Sequence, residues 1–263
     1  MLLIHACIAS AKAHPSVGWI LPSTSFFRGP DVVSFDAAIS RVPFFADGFS
    51  MNIEYLLITA PDGKRVSADN VSRMRKRTVF DLFLQKNGTY RVSATAKDIS
   101  AAWKGKDGRD QAVQGAADDV LSSLPADVGT VVVTEFIRRY ETFVVIGKPS
   151  DVTVTGSGLE LRFLESDASM LRVRKGEARF MLLLDGKPAP RIRGTVIRGY
   201  TQVKGRADMR EFITNTEGQF LVEWTGAGFY LLEVSAIDKK TTVPQARERS
   251  LLYTATLEVL PAN

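Results

Sequence analysis

Pro61-Asp62-Gly63-Lys64, then Thr78-Val79-Phe80-Asp81-Leu82, then Asn87-Gly88-Thr89-Tyr90-Arg91-Val92-Ser93-Ala94 form a phrase that decides the fold class. A turn leads to a strand, and a second tight turn leads to a strand that opens on tyrosine. The same order recurs downstream. Asp185-Gly186-Lys187-Pro188 leads through Thr195-Val196-Ile197 to Thr214-Asn215-Thr216-Glu217-Gly218-Gln219-Phe220, and then to Gly226-Ala227-Gly228-Phe229-Tyr230-Leu231-Leu232-Glu233-Val234. Asn-Gly and Asp-Gly supply the positive φ of tight turns, and a tyrosine just after the turn anchors a half-buried strand. Two copies predict an all-β protein of two tandem immunoglobulin-like antiparallel β-sandwich domains.

The chain of 263 residues has room for two such bodies of ordinary domain size. Hydrophobic residues at 45% and charged residues at 24% are globular values. A net charge of +5 is too diffuse for nucleic-acid binding without a concentrated stripe. The densest basic run, Arg73, Arg75, Lys76 and Arg77, lacks interleaved aromatics and reads as a solvated loop or strand edge. The lone Cys7 excludes disulfides and thiolate metal sites from the body.

Outward from the two phrases, short alternating segments read as strands. These are Val32–Ala38, Ile53–Thr59, Val79–Leu84, Tyr90–Ala96, Val131–Val133 and Tyr140–Ile146 in the first half. Leu159–Phe163, Ala178–Leu184, Gly194–Arg198, Gln219–Trp224, Phe229–Ile237 and Leu252–Leu260 follow in the second. Gln111–Leu124 carries apolar residues at helical spacing and stops at Pro125, which predicts one short helix in the first domain. Arg206–Arg210 and Pro244–Arg249 read as charged loops. The expected division is 1–13 as the remnant of a signal peptide, 14–147 as the first sandwich and 151–263 as the second. The connection between them is Gly147-Lys148-Pro149-Ser150.

The apolar run Leu2–Ala9 followed by Ala11-Lys12-Ala13 fits a small-x-small cleavage pattern. It lacks a basic start, as though the leader begins further upstream. No later stretch approaches the roughly 20 apolar residues needed to span a bilayer. An exported, periplasmic protein is expected.

Several further phrases carry a resemblance. They are His14 with Trp19-Ile20-Leu21-Pro22-Ser23, Val33-Ser34-Phe35-Asp36-Ala37-Ala38, Tyr140-Glu141-Thr142-Phe143, Leu184-Asp185-Gly186-Lys187-Pro188-Ala189 and Thr242–Arg249 with Tyr253–Leu260. Together they resemble the periplasmic DUF4198 family, which is grouped with NikM-like nickel-uptake components. The resemblance implies an exported β-sandwich whose processed N-terminus begins with His14 and binds a transition metal. It also implies a role in nickel, cobalt or copper uptake, beside a membrane transporter or a TonB-dependent receptor. A cut after Ala13 would let the His14 α-amino group and Nδ1 chelate Ni²⁺ or another divalent transition metal. Asp47 and Asp36 are the candidate oxygen ligands. Where the family pattern has a second histidine after an aromatic-aromatic-x-Asp phrase, this chain has Phe44-Phe45-Ala46-Asp47 followed by Gly48. That departure favours the alternative, a non-metal structural or adaptor module that binds an envelope or outer-membrane receptor partner.

No catalytic constellation accompanies these features. Gly-x-Ser-x-Gly is absent, and beyond His14 the body has no histidine to serve as a general base, so no enzyme is expected. Gly156-Ser157-Gly158 lacks the lysine and helix of a phosphate cradle and reads as a turn. Trp224 is expected in the core, and Trp103 beside a charged loop is a candidate contact for a ligand or partner.

Overall fold

A computed structural model describes residues 16–164, 176–199 and 208–261. Strands β1 (Val17–Pro22), β2 (Phe26–Phe27), β3 (Asp31–Ser40), β4 (Phe49–Ser50) and β5 (Leu56–Thr59) come first. Next are β6 (Arg65–Val66), β7 (Asp69–Arg73), β8 (Thr78–Leu84), β9 (Gly88–Lys104) and β10 (Asp110–Gly115). Helix α1 (Ala117–Ser123) interrupts them before β11 (Val132–Ile146), β12 (Leu159–Phe163), β13 (Glu177–Leu184) and β14 (Lys187–Pro188). The remainder are β15 (Arg193–Arg198), β16 (Met209–Ile213), β17 (Gln219–Glu223), β18 (Gly228–Asp238) and β19 (Glu248–Val259). The protein is mostly β, with one short helix.

Three sheets result. The central one runs β16-β15-β18-β19-β11-β9-β5-β6, with β10 on β9 and β2 on β11. It draws strands from both sides of the Gly147–Ser150 turn. The join is a parallel ladder between β11 and β19, from Thr134 opposite Glu248 to Thr142 opposite Thr256. A second sheet runs β1-β3-β8-β7 with β4 on β3, and a third runs β12-β13-β14 with β17 on β13.

The period-two alternation of strands shows where these layers sit. On β9 and β11, Tyr90, Val92, Ala94, Tyr140, Val144 and Ile146 pack with Phe35, Phe80 and Leu82 of the second sheet. Phe143, one residue out of phase, packs with Leu161, Phe180 and Phe220 of the third. The second and third sheets therefore cover opposite faces of the central one. Residues 139–146 are buried without interruption, as expected of a strand covered on both sides. β1 lies so close to the central sheet that a Cβ on Gly18 would sit 2.2 Å from a Tyr140 ring carbon.

The turn grammar appears as expected. Asp185 and Gly186 both have positive φ, 52° and 74°, the type I′ pattern of a two-residue hairpin, and they join β13 to β14. The two tyrosines act alike. Tyr90 Oη accepts from the Gln85 and Lys86 N–H groups at 3.0 and 2.8 Å. Tyr230 Oη accepts from the Thr225 and Gly226 N–H groups at 3.2 and 3.1 Å. Each tyrosine thus pins the turn that precedes its own strand. Tyr90→Phe and Tyr230→Phe are each expected to lose roughly 1–3 kcal/mol, because two partly buried donors lose their acceptor. Denaturant midpoints for the two variants check this.

Three expectations need correction. Gln111–Leu124 is not one helix. The segment up to Gly115 pairs with β9 as β10, from Asp110 opposite Lys104 to Gly115 opposite Ile99, and only Ala117–Ser123 is helical. The Lys104–Asp110 turn folds β10 back onto β9, and a ready sheet edge outweighs the weak helical preference of a segment containing Gly115. The apolar residues still converge, since Val113, Val120, Leu121 and Leu124 pack with Ile99, Ala101 and Val133. Trp103 is half-buried against that cluster, and Trp224 is buried at 6% exposure. The two charged loops are partly strand, because Met209–Ile213 forms β16 and β19 begins at Glu248.

Candidate functional site

His14 lies outside the described residues, as does the expected leader. The strand that follows it, β1, starts at Val17 opposite Ser40. Beside Ser40, Arg41 holds Asp47. The Arg41 N–H and Nε each donate to the carboxylate at 3.1 Å, and the guanidinium pairs with it at 3.0 Å. Burial works against the charge on Asp47, but these donors hold its carboxyl below the ordinary value. His14 is three residues from Val17, a reach of about 10 Å for extended chain. Asp47 is therefore on the side from which the N-terminal segment arrives. Asp36 is not. It faces Leu21, at the other end of β1, and pairs with Arg77 at 3.4 Å. Among the described residues no three His, Cys, Asp or Glu side chains group as a metal site.

A second feature lies where the second and central sheets end, at β7 and β6. Between residues 51–58 and 65–73 runs a groove of about 600 Å³. Its floor is apolar and belongs to the core, with Met51 at 1% and Ile58 at 2% exposure. Val66 and Val71 line it from exposed positions, and Arg65 and Arg73 stand on its walls. Of the basic run, Arg73 lines this groove, and residues 73–77 are all exposed.

A third feature is internal. Arg91, Arg139, Glu141, Glu160 and Tyr253 meet where β9, β11 and β19 face β12, and all are buried. The Glu160 carboxylate accepts from the Thr155, Gly156 and Ser157 N–H groups at 2.6, 2.7 and 3.1 Å. It also pairs with Arg91 at 3.3 Å and Arg139 at 3.4 Å. The Thr155-Gly156-Ser157 segment is thus a cradle for an anion, and the anion is the chain's own carboxylate, while the Gly158 N–H donates to Asp185. Arg139 donates to the Ser157 carbonyl at 2.8 Å, and Arg91 to the Thr153 carbonyl at 2.9 Å.

Glu141 is less well provided. Tyr253 Oη donates to its Oε2 at 2.7 Å, while its Oε1 has no hydrogen-bond partner and lies 3.8 Å from Arg91 Nε, which also has none. Burial pushes the Glu141 carboxyl up, against the pull of Arg91 and Arg139. A carboxyl raised in the folded state loses stability as pH climbs from the unfolded value, about 4.3, through the folded one. Glu141→Gln removes that loss. The stability of the wild type relative to the variant should fall as pH rises across this window, measured by denaturant titration at a series of pH values.

Sequence reasoning found Asp47 and the basic run, but not the groove or the internal charges. The groove joins two segments separated by a turn, and no local pattern announces it. The sequence placed Glu141 within the Tyr140–Ile146 strand and assigned Arg139 nothing.

A mostly β protein of three sheets, with an open groove at one sheet end and a charged interior, is the class these features define. The chain belongs to the DUF4198 family, a domain of unknown function, whose model matches residues 11–238. No curated protein matches the sequence. Among solved structures it is similar to Escherichia coli alpha-2-macroglobulin activated by porcine elastase, at 12% identity and a TM-score of 0.23, over 92% of this chain and 31% of that one. It is also similar to a DUF4785 family protein from Legionella pneumophila, at 7% identity and a TM-score of 0.25, over 91% and 55%. A tetra-tandem repeat from the extending region of a large adhesion protein matches at 12% identity and a TM-score of 0.22, over 93% and 74%. The chain thus spans about a third of the first structure and about half of the second. No described helix is long and apolar enough to cross a membrane.

Proposed function

We propose that this protein is an exported, periplasmic, non-enzymatic accessory module that presents a fixed surface to a protein partner of the envelope, such as a membrane transporter or a TonB-dependent receptor. It consists of two immunoglobulin-like sandwiches fused through a shared sheet. The two turn-pinning tyrosines, one in each half, support the immunoglobulin-like reading. The observation that carries the adaptor reading is the double-covered centre of that sheet. Residues 139–146 of β11 are buried on both faces, and β11 is bound to β9 on one side and β19 on the other, so the halves share a sheet. Such a body holds a binding surface in place at little entropic cost on association.

The test is a photo-crosslinking amino acid placed at Val71 on the groove and, as control, at the exposed Ile237, in cells making the full chain. A discrete crosslinked species from Val71 and none from Ile237 is expected. No species from Val71, or equal smears from both, overturns the adaptor reading.

A second reading, transition-metal handling, is favoured by the register that sets Asp47 beside the start of β1. His14 supplies nitrogen ligands from the processed terminus, and Asp47 exchanges its Arg41 contacts for the metal. Calorimetric titration of the chain beginning at His14 with Ni²⁺ and Cu²⁺ tests it. Binding that is lost in His14→Ala and weakened in Asp47→Ala supports this reading, and equal weak binding by all three proteins overturns it.

A further inference from the structure

We infer that the groove between residues 51–58 and 65–73 is the docking site for an extended, acidic peptide segment of the partner; this rests on the adaptor reading above. Charge complementarity carries the inference. Arg65 and Arg73 are exposed and line the groove, and Lys64, Arg75 and Lys76 are exposed beside them in the sequence. Among the described residues none of the five pairs with a carboxylate, and Arg73 donates only to Ser50 Oγ, at 3.1 Å. Nearby acids are mostly committed elsewhere. Asp36 is tied to Arg77, Asp62 to Lys86, and Asp81 accepts from Ser34 and Asn70. Among the described residues Glu54, which itself lines the groove, Asp69, and Asp81, whose donors are uncharged, remain to offset five cations.

The shape selects an extended chain over a compact ligand. The groove is partly open to solvent, and its walls are the last strands of two sheets. An extended peptide presents alternate side chains to opposite sides. One row reaches the apolar lining of Met51, Ile53, Leu56, Ala68 and Val71, and the other is left for Arg65, Arg73 and the exposed cations beside them. The register of β7 slips between Asp69 and Ser72, where Asn70 has a φ of 51°. That bulge denies an incoming chain a continuous backbone ladder. Recognition therefore rests on side chains, apolar ones below and acidic ones at the rim.

The experiment measures fluorescence anisotropy of the full chain with a labelled ten-residue peptide that alternates glutamate and valine, against a counterpart with lysine for glutamate. The acidic peptide is expected to bind at least about tenfold more tightly at low salt and to lose that advantage at high salt, because the rim charges are exposed and readily screened. Arg65→Glu with Arg73→Glu should remove the preference. Val71→Asp, at an exposed position, should weaken binding while leaving the thermal transition unchanged. Equal binding of both peptides, unchanged binding by the variants, or binding of dodecanoate without the acidic peptide overturns the inference. A Val71 crosslink in cells combined with any of those results refutes the acidic-peptide assignment alone and leaves the adaptor reading standing.

Discussion

Glu160→Ala is expected to lower stability by about 3–5 kcal/mol, the usual consequence of removing one partner from a buried charge cluster. Glu160 has no solvent exposure, and its carboxylate serves three backbone N–H groups and two guanidiniums at once. Without it, Arg91 and Arg139 stay buried, and Glu141, at 3.8 and 3.9 Å, is the one carboxylate left beside them among the described residues. The turn from Thr155 to Ser157 loses its only side-chain acceptor apart from Thr155 Oγ1, so the strap over the cluster should open with the charges. Glu160→Gln should fall between, since it keeps an acceptor and loses the charge. Guanidinium titrations of the three proteins, with amide exchange at residues 153–158, give the measurement. A loss below about 1 kcal/mol in the alanine variant would mean that the cluster is hydrated and not closed to water.

Phe180→Ala should cost about as much, roughly 3–5 kcal/mol, for a different reason. Its ring is wholly buried on β13, with centroids 5.6 Å from Phe163, 5.5 Å from Phe220 and 6.4 Å from Trp224. Those rings are fixed in turn by Phe143 and Phe212, so they cannot close over the space that is left. Cavity cost is greatest where the surroundings cannot collapse. Ile237→Ala, at 68% exposure, should leave the denaturant midpoint nearly unchanged. A Phe180→Ala midpoint equal to that of Ile237→Ala would refute the packing described for the third sheet.

Much of the strand layout was legible in the chain because half-buried strands alternate. Leu159–Phe163 has the bounds its pattern predicts, and the Asp-Gly turns occur where positive φ is needed. The long strands were harder to read. β9 and β11 were each expected as shorter pieces, because Lys97, Asp98, Arg138 and Arg139 interrupt the apolar pattern. In the fold, Arg138 pairs with Asp98 across the two strands at 2.6 Å, so these charges continue the ladder. Alternation also fails where both faces are buried, and one of them by polar groups. The parallel contact between β11 and β19 had no local signal at all. For the site, a basic run gives the same signal on a solvated edge as on a groove wall. The run is indeed a strand edge and an exposed loop, and what makes Arg73 a groove wall as well is the apolar floor brought beside it by Met51–Ile58, a separate stretch of chain. Asp47 was named from its neighbours in sequence, while Arg41, which holds it, carried no signal before the turn was seen.

The β11–β19 ladder has a consequence for how the molecule is made. Thr142 and Thr256, hydrogen-bonded across it, are 114 residues apart. β11 therefore waits for one of its two long neighbours until Glu248–Val259 has been synthesised. Contacts this distant in sequence slow the search for the native state. A nascent chain stopped short of Glu248 would leave one side of β11 bare, an open edge available to any passing strand.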